Sequence, residues 1–339
     1  MIRRAVNLIF IGLSIFCAPL YGQNVKVTAL KGEGIYSLLR RHGLDPAANM
    51  DKFIELNKAE LGAENALIEG KSYLLPAPPA NSGAAAEIVS NKPETRRHPI
   101  FGKKYEEVTV RDKTLEGAVY YLLAGHGGPD PGAMSEYGEY YLSEDEYAYD
   151  VTLRLARRLM EFGAEVYMII QDPDDGIRDD GILGLDADEV CYPGEPIPAG
   201  QKERLKQRTD AVNRLFAKHA GAYQRLIAIH IDSRKMGENI DVFFYHHHRS
   251  KPGQKLAMHI HETFRTKYAI HQPARRYEGT VTPRSGLYIV RNTHPPTVFI
   301  ELGNIKNTRD QRRFVLSDNR QALANWIADG ILMDFKNKK

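Results

Sequence analysis

Two histidines and a glutamate are the groups in this 339-residue chain whose types and positions promise chemistry. The apolar run at 118–123 leads into Gly125-His126-Gly127-Gly128, the run at 226–229 ends in His230-Ile231-Asp232, and the run at 297–300 ends in Glu301. Apolar segments of this length predict buried strands, and strands that finish together deliver His126, His230 and Glu301 to one rim of a sheet. A lone histidine at a strand end is an ordinary surface or core residue. Several ligand-capable groups at corresponding ends, flanked by glycines that permit close approach, form a constellation. Imidazole and carboxylate both suit zinc, which in a catalytic centre takes three protein ligands and keeps a fourth position for water. Two histidines and one glutamate make such a set, and a carboxylate near Glu144 can complete it. Whichever carboxylate is left over is then free to act as the base that activates water.

The elements that must position these groups alternate. Strands are expected at 108–110, 118–123, 165–170, 226–230, 240–245, 286–290 and 297–301, and helices at about 145–162, 201–219, 253–268 and 319–335. That alternation predicts an α/β domain with a mixed, mostly parallel sheet flanked by helices, in which chemistry collects at the carboxyl ends of the strands. The connection at 172–200 is longer than usual and rich in Asp, Gly and Pro, so it is expected either to shape the substrate groove or to be a plain solvated loop.

A different texture precedes this domain. Arg3 and Arg4, an apolar run over 8–16 and small Gly22 read as a signal peptide at 1–22, too short in its apolar part for a stable membrane span. Residues 23–77 read as strand, helix, helix, strand, the second helix running through Phe53, Ile54 and Leu56 to Asn57. The stretch 78–100, rich at its start in Pro, Ala, Ser and Asn, reads as a linker, which leaves 101–339 for the catalytic domain. With Cys17 inside the leader, Cys191 has no disulfide partner. A net charge of +3, with 42% hydrophobic and 26% charged residues, gives no basic surplus of the kind that argues for nucleic acid.

The strings "GHGGPDPGA" at 125–133, "AIHID" at 228–232 and "VFIELGNIKN" at 298–307 resemble the signature blocks of the zinc-dependent N-acetylmuramoyl-L-alanine amidases. The resemblance implies an exported, periplasmic or cell-wall-associated enzyme that binds Zn2+ and acts on peptidoglycan. It makes His126 and His230 metal ligands and Glu301 the catalytic carboxylate. The chain departs from the family at the third ligand: the family's glutamate position, three before the first apolar anchor Val151, holds Ala148. The acidic candidates are Glu144 and Glu146. Ser143 and Glu146 have capping-box spacing, which would commit Glu146 to backbone donors and favour Glu144 as the ligand, with Glu146 as the alternative. Arg284, Arg291 and Asn292, expected to flank the strand at 286–290, could hold stem-peptide carboxylates. Arg208 has a family counterpart and reads as structural. His246-His247-His248 closes a strand, where side chains alternate, so it reads as a solvated strand end rather than a metal tract. Residues 25–77 resemble a LysM glycan-binding module, with Gly-Glu-Gly at the first turn in place of the family's usual Gly-Asp-Thr. A zinc peptidase acting within stem peptides and an inactive wall-binding protein share these features, and a regulatory protein partner stays open.

Overall fold

A computed structural model describes residues 25–30, 33–42, 44, 46–62, 65–76, 94–238 and 240–338. The chain divides into two units, Met1–Ala86 and Glu87–Lys339. The expected leader at 1–22 and the first part of the expected linker lie outside the described residues.

In the first unit, β1 (Lys26–Thr28) is followed by α1 (Ile35–Arg41), α2 (Pro46–Asn57) and β2 (Ser72–Leu74), and β1 pairs antiparallel with β2. This is the expected order. Leu38, Leu39, Phe53 and Tyr73 are fully buried at its centre. Asn57 ends α2 for a physical reason: its amide nitrogen donates to Phe53 O and Leu74 O (both 2.8 Å), and its Oδ1 accepts from Leu74 N (2.7 Å). One buried side chain thus ties the helix end to the second strand.

The second unit begins with β3 (Thr95–Arg97), a single 3-10 turn at Pro99–Phe101, and β4 (Glu107–Thr109), which pairs antiparallel with β3. Residues 94–100, expected within the linker, are therefore structured, because Phe101 is buried in the main core and Thr95 bonds Thr109 across the ladder at 2.9 Å. Then come β5 (Ala118–Ala124), a hairpin of β6 (Met134–Tyr137) and β7 (Tyr140–Ser143), and the long α3 (Glu144–Glu161). β8 (Glu165–Met168), β9 (Ile170–Gln171), β10 (Val190–Cys191) and β11 (Glu195–Pro196) lead to α4 (Gln201–Lys218) and β12 (Tyr223–Asp232). The chain ends with β13 (Phe243–His246), α5 (Lys251–His271), β14 (Thr280–Pro283), α6 (Tyr288–Asn292), β15 (Thr297–Asn304), α7 (Thr308–Val315) and α8 (Ser317–Lys336).

Six strands form the central sheet in the order β14-β13-β15-β12-β5-β8, with every neighbouring pair parallel except β13 against β15. β5 is buried along its whole length, as a parallel strand covered on both faces must be. Ile227, Ile229, Val298 and Ile300 face the core shared with α3, α5 and α8, while Leu226, Ala228 and Phe299 face the smaller core against α4 and α6. The expected strand at 286–290 is not one: its apolar residues form the short helix α6, with Ile289 and Val290 buried, and the edge strand is Thr280–Pro283 instead. A run as short as Leu-Tyr-Ile-Val carries no period that separates the two. Among the described residues no helix is long and apolar enough to cross a membrane.

Candidate active site

Register sets the site. His230 on β12 lies directly opposite Glu301 on the parallel neighbour β15, and Ile229 lies opposite Ala124 at the end of β5. The chain leaving β5 is held to β12 by Gly125 N donating to Ile229 O at 2.7 Å. A Cβ at Gly125 would collide with the His230 imidazole, so a glycine is what lets the ring lie against that strand. Phe299 stacks on the other side of the same ring, with centroids 4.1 Å apart and planes 14° from parallel.

His126 follows in a left-handed conformation, φ 65°, which costs a non-glycine residue about 1–3 kcal/mol and persists only when its surroundings impose it. Those surroundings are identifiable. Arg208 Nη2 donates to His126 O at 2.6 Å, and Asp130 Oδ2 lies 3.0 Å from His126 Nδ1 while also accepting from Arg204 at 2.7 Å. With Nδ1 engaged by a carboxylate, Nε2 is the ring atom that faces the site.

Glu144, the first residue of α3, reaches both rings: Oε1 is 2.9 Å from His230 Nδ1 and Oε2 is 3.3 Å from His126 Nε2. Backbone donors fix the carboxylate, Ile231 N at 3.1 Å and Ala133 N at 3.0 Å. Gly132, at φ 68°, makes room for it, since a Cβ there would sit 2.7 Å from His126 Cδ2 and 2.8 Å from Glu144 Oε2. One donor atom from each of His126, Glu144 and His230 lies within 4.8 Å of the others, an arrangement that can hold a divalent cation. Burial opposes the charge on Glu144, but hydrogen bonds to the two rings outweigh it and hold the carboxyl well below its ordinary value. Burial also lowers His230, while on His126 the same penalty is outweighed by Glu144 and Asp130, and its value rises.

Glu146 is elsewhere. Its carboxylate accepts from Arg178 Nη2 at 2.7 Å and from the Asp186 amide at 3.1 Å. The expected capping box is absent, for Ser143 makes no side-chain hydrogen bond to the helix and Glu146 turns toward the 172–200 segment. Glu146 groups instead with Asp145 and Glu189, and Glu189 Oε2 accepts from Gly128 N at 2.6 Å, fastening the segment to the loop that carries His126.

Glu301 stands apart from the three converging groups. Its Oε2 is buried and has no hydrogen-bond partner, and burial, with the charges of Glu144 and Asp232, pushes its carboxyl well above the ordinary range. Arg284 opposes that rise; it lies over the Tyr245 ring, 4.8 Å from its centroid. Arg291 and Asn292 are not on a strand but in α6. Arg291 is exposed over Tyr288 at 6.0 Å, and Asn292 donates to Tyr288 O at 2.8 Å within its own helix. Of the histidine run, His246 is buried at the end of β13 rather than solvated, and His247 and His248 stack outside it, with His248 bonded to Ser285 at 2.6 Å. Asp130 was legible only weakly in the sequence, as a carboxylate four positions after His126 in the same glycine-rich loop.

Imidazoles and carboxylates gathered toward the carboxyl edge of a mostly parallel sheet give this α/β domain a site of the kind that suits metal-assisted hydrolysis. The family profile described as N-acetylmuramoyl-L-alanine amidase matches residues 121–333, more than half of the chain, which therefore belongs to that amidase family. A germination-specific N-acetylmuramoyl-L-alanine amidase of Bacillus subtilis is 26% identical over 227 residues, covering 66% of this chain and 82% of that one. The probable cell wall amidase LytH of Staphylococcus aureus is 24% identical over 229 residues, 67% of this chain and 62% of its own length. The CwlD amidase of Clostridioides difficile, solved in complex with the GerS lipoprotein, is 19% identical, with a TM-score of 0.48, and 65% of this chain covers 99% of it.

Proposed function

We propose that the chain is an exported, zinc-dependent amidase that hydrolyses the bond between the lactyl group of the muramoyl glycan and L-alanine of the peptidoglycan stem. The reading is carried by His126, Glu144 and His230 placing donor atoms within 4.8 Å of one another while a second glutamate, Glu301, stays outside the group with an unpartnered oxygen. Two imidazoles and one carboxylate suit zinc in number and in donor type. When bound, zinc supplies Lewis-acid polarisation and lowers the pKa of water at the site to about 7.

The chain's own residues do the rest. Glu301 takes a proton from the attacking water and returns it to the alanine nitrogen as the carbon–nitrogen bond breaks, leaving a lactyl carboxylate on the glycan and a free amine on the peptide. Its raised carboxyl suits a group that must hold a proton near neutral pH, and a cation beside it draws the value back toward that range. Asp130 and Phe299 keep the two imidazoles in orientation. Arg284 is the best placed of the three polar candidates to receive a stem-peptide carboxylate, since it is a charged neighbour of Glu301. Residues 1–22 serve export, and 23–77 bind the glycan as a LysM-like module joined to the catalytic domain.

Digestion of purified sacculi followed by mass analysis tests this. Release of whole stem peptides beginning with L-alanine, by a chain carrying one zinc, is the expected result. Shortened stems would instead identify a peptidase, and no product from the zinc-loaded chain a wall-binding scaffold. Glu301→Gln should keep its zinc and lose about 10²–10⁴-fold in kcat.

A further inference from the structure

We propose that the segment 172–200 holds a second cation, calcium in type, on the carboxylates of Asp172, Asp174, Asp186 and Asp188, separate from the histidine centre. One carboxylate oxygen from each of the four lies within 4.8 Å of the others. They come from two Asp-x-Asp pairs, Asp172-Pro173-Asp174 and Asp186-Ala187-Asp188, brought face to face from different parts of one connection. Four like charges at this range repel, and none of them forms an ion pair among the described residues. Arg178, the guanidinium built into the segment, is committed to Glu146 and Asp175.

Asp172 provides an independent observation. It is only 5% exposed, and although its Oδ1 accepts from the amides of Asp174 (3.0 Å) and Asp175 (2.7 Å), its Oδ2 is buried with no hydrogen-bond partner. A buried carboxylate oxygen left unsatisfied is costly, and a cation among the four carboxylates is the group that would satisfy it. Burial and the charges of Asp175 and Asp188 push the Asp172 carboxyl up to about 7, the direction expected of a cluster that lacks its counter-ion.

The donors decide which cation. All are oxygens, which disfavours zinc, and several carboxylates on one ion suit the large, flexible shell of calcium better than magnesium, which gives up its waters reluctantly. Asp174, Asp186 and Asp188 are exposed, so solvent can enter and complete the shell. The consequence lies next door. Asp186 N bonds Glu146 on α3, and Glu189 bonds Gly128 beside His126, so a cation here would fasten the wall of the active site.

The zinc-loaded full chain is dialysed against radioactive calcium, and its unfolding temperature is compared in calcium and magnesium chloride at equal ionic strength. Expected are one calcium per chain with unchanged zinc and a rise in Tm of about 5 °C once calcium exceeds Kd a hundredfold. The double variant Asp174→Asn, Asp188→Asn should lose both effects and keep its zinc. Without calcium it should be at least as stable as the parent, because two repelling charges are gone. No calcium uptake by the parent at about 10 mM, well above the range of extracellular calcium modules, overturns the proposal. So does an equal shift from magnesium, or calcium binding that survives the double variant. These readouts do not depend on amidase activity, so a failure of that reading would be seen separately.

Discussion

At the residue scale, a single turn of helix decides which carboxylate joins His126 and His230 in the candidate metal group. Glu144 and Glu146 are two positions apart in the first turn of α3, so their side chains leave the axis in very different directions. Only Glu144 faces His126 and His230. Glu144→Ala should therefore lower zinc affinity steeply, by more than the about 10–100-fold that loss of an orienting partner costs, whereas Glu146→Gln should retain full zinc content while weakening the hold on Arg178. Metal analysis of the two purified variants after dialysis separates them. Asp130→Asn belongs to the orienting class. It removes the carboxylate behind His126 and should cost about 10–100-fold in metal affinity or turnover, with the zinc stoichiometry restored at high zinc concentration.

At the scale of elements, α3 does three jobs at once. Its first residue enters the candidate metal group, Glu146 and Tyr147 of the same first turn anchor the acidic segment, and its middle is bonded to α8. The last contact is a buried charge cluster. Asp150 Oδ2 accepts from Arg154 Nε at 2.7 Å and Arg320 Nε at 2.6 Å, its Oδ1 accepts from Arg178 N at 2.9 Å, and neither Asp150 nor Arg320 is exposed to solvent. Asp150→Asn would leave two buried guanidiniums short of a counter-charge, at a cost of about 3–5 kcal/mol in urea unfolding at pH 7. Burial pushes the Asp150 carboxyl up, but the two arginines outweigh burial and hold it below its ordinary value. A carboxyl lowered in the folded state binds fewer protons there than in the unfolded chain. Its stabilisation is therefore complete above the ordinary value of about 3.9 and is lost as pH falls through the folded one. The parent should lose stability on acidification below about pH 4, and the variant should lose less over the same interval.

For the whole molecule, two units have separate cores: one carries the amidase family match, and the other is the small strand-helix-helix-strand module. If the module binds glycan, removing residues 23–77 should weaken binding to sacculi by at least about 10-fold, through lost effective concentration, and leave kcat on a short soluble muramoyl peptide unchanged. Sedimentation of the two forms with sacculi, alongside turnover of the soluble substrate, checks both halves of that expectation.

The sequence by itself located the strand that leads to His126 and the strands that hold His230 and Glu301, because a buried parallel strand is a run of apolar residues against which a polar one stands out, although β12 and β15 run on past those two residues to Asp232 and Asn304. It also determined the order of elements in the first unit, where Asn57 closes α2 as its position suggested. Only the tertiary structure replaced the expected capping box, the ground on which Glu144 was favoured, with direct contact between Glu144 and both imidazoles, turned the apolar run at 286–290 into a helix, extended the second unit back to β3, and drew two distant Asp-x-Asp pairs together. The reason is common to all four. Apolar periodicity is a property of neighbours along the chain, whereas the direction of a side chain in the first turn of a helix, the pairing of a three-residue strand and the meeting of charges across a long connection depend on contacts that the rest of the fold supplies.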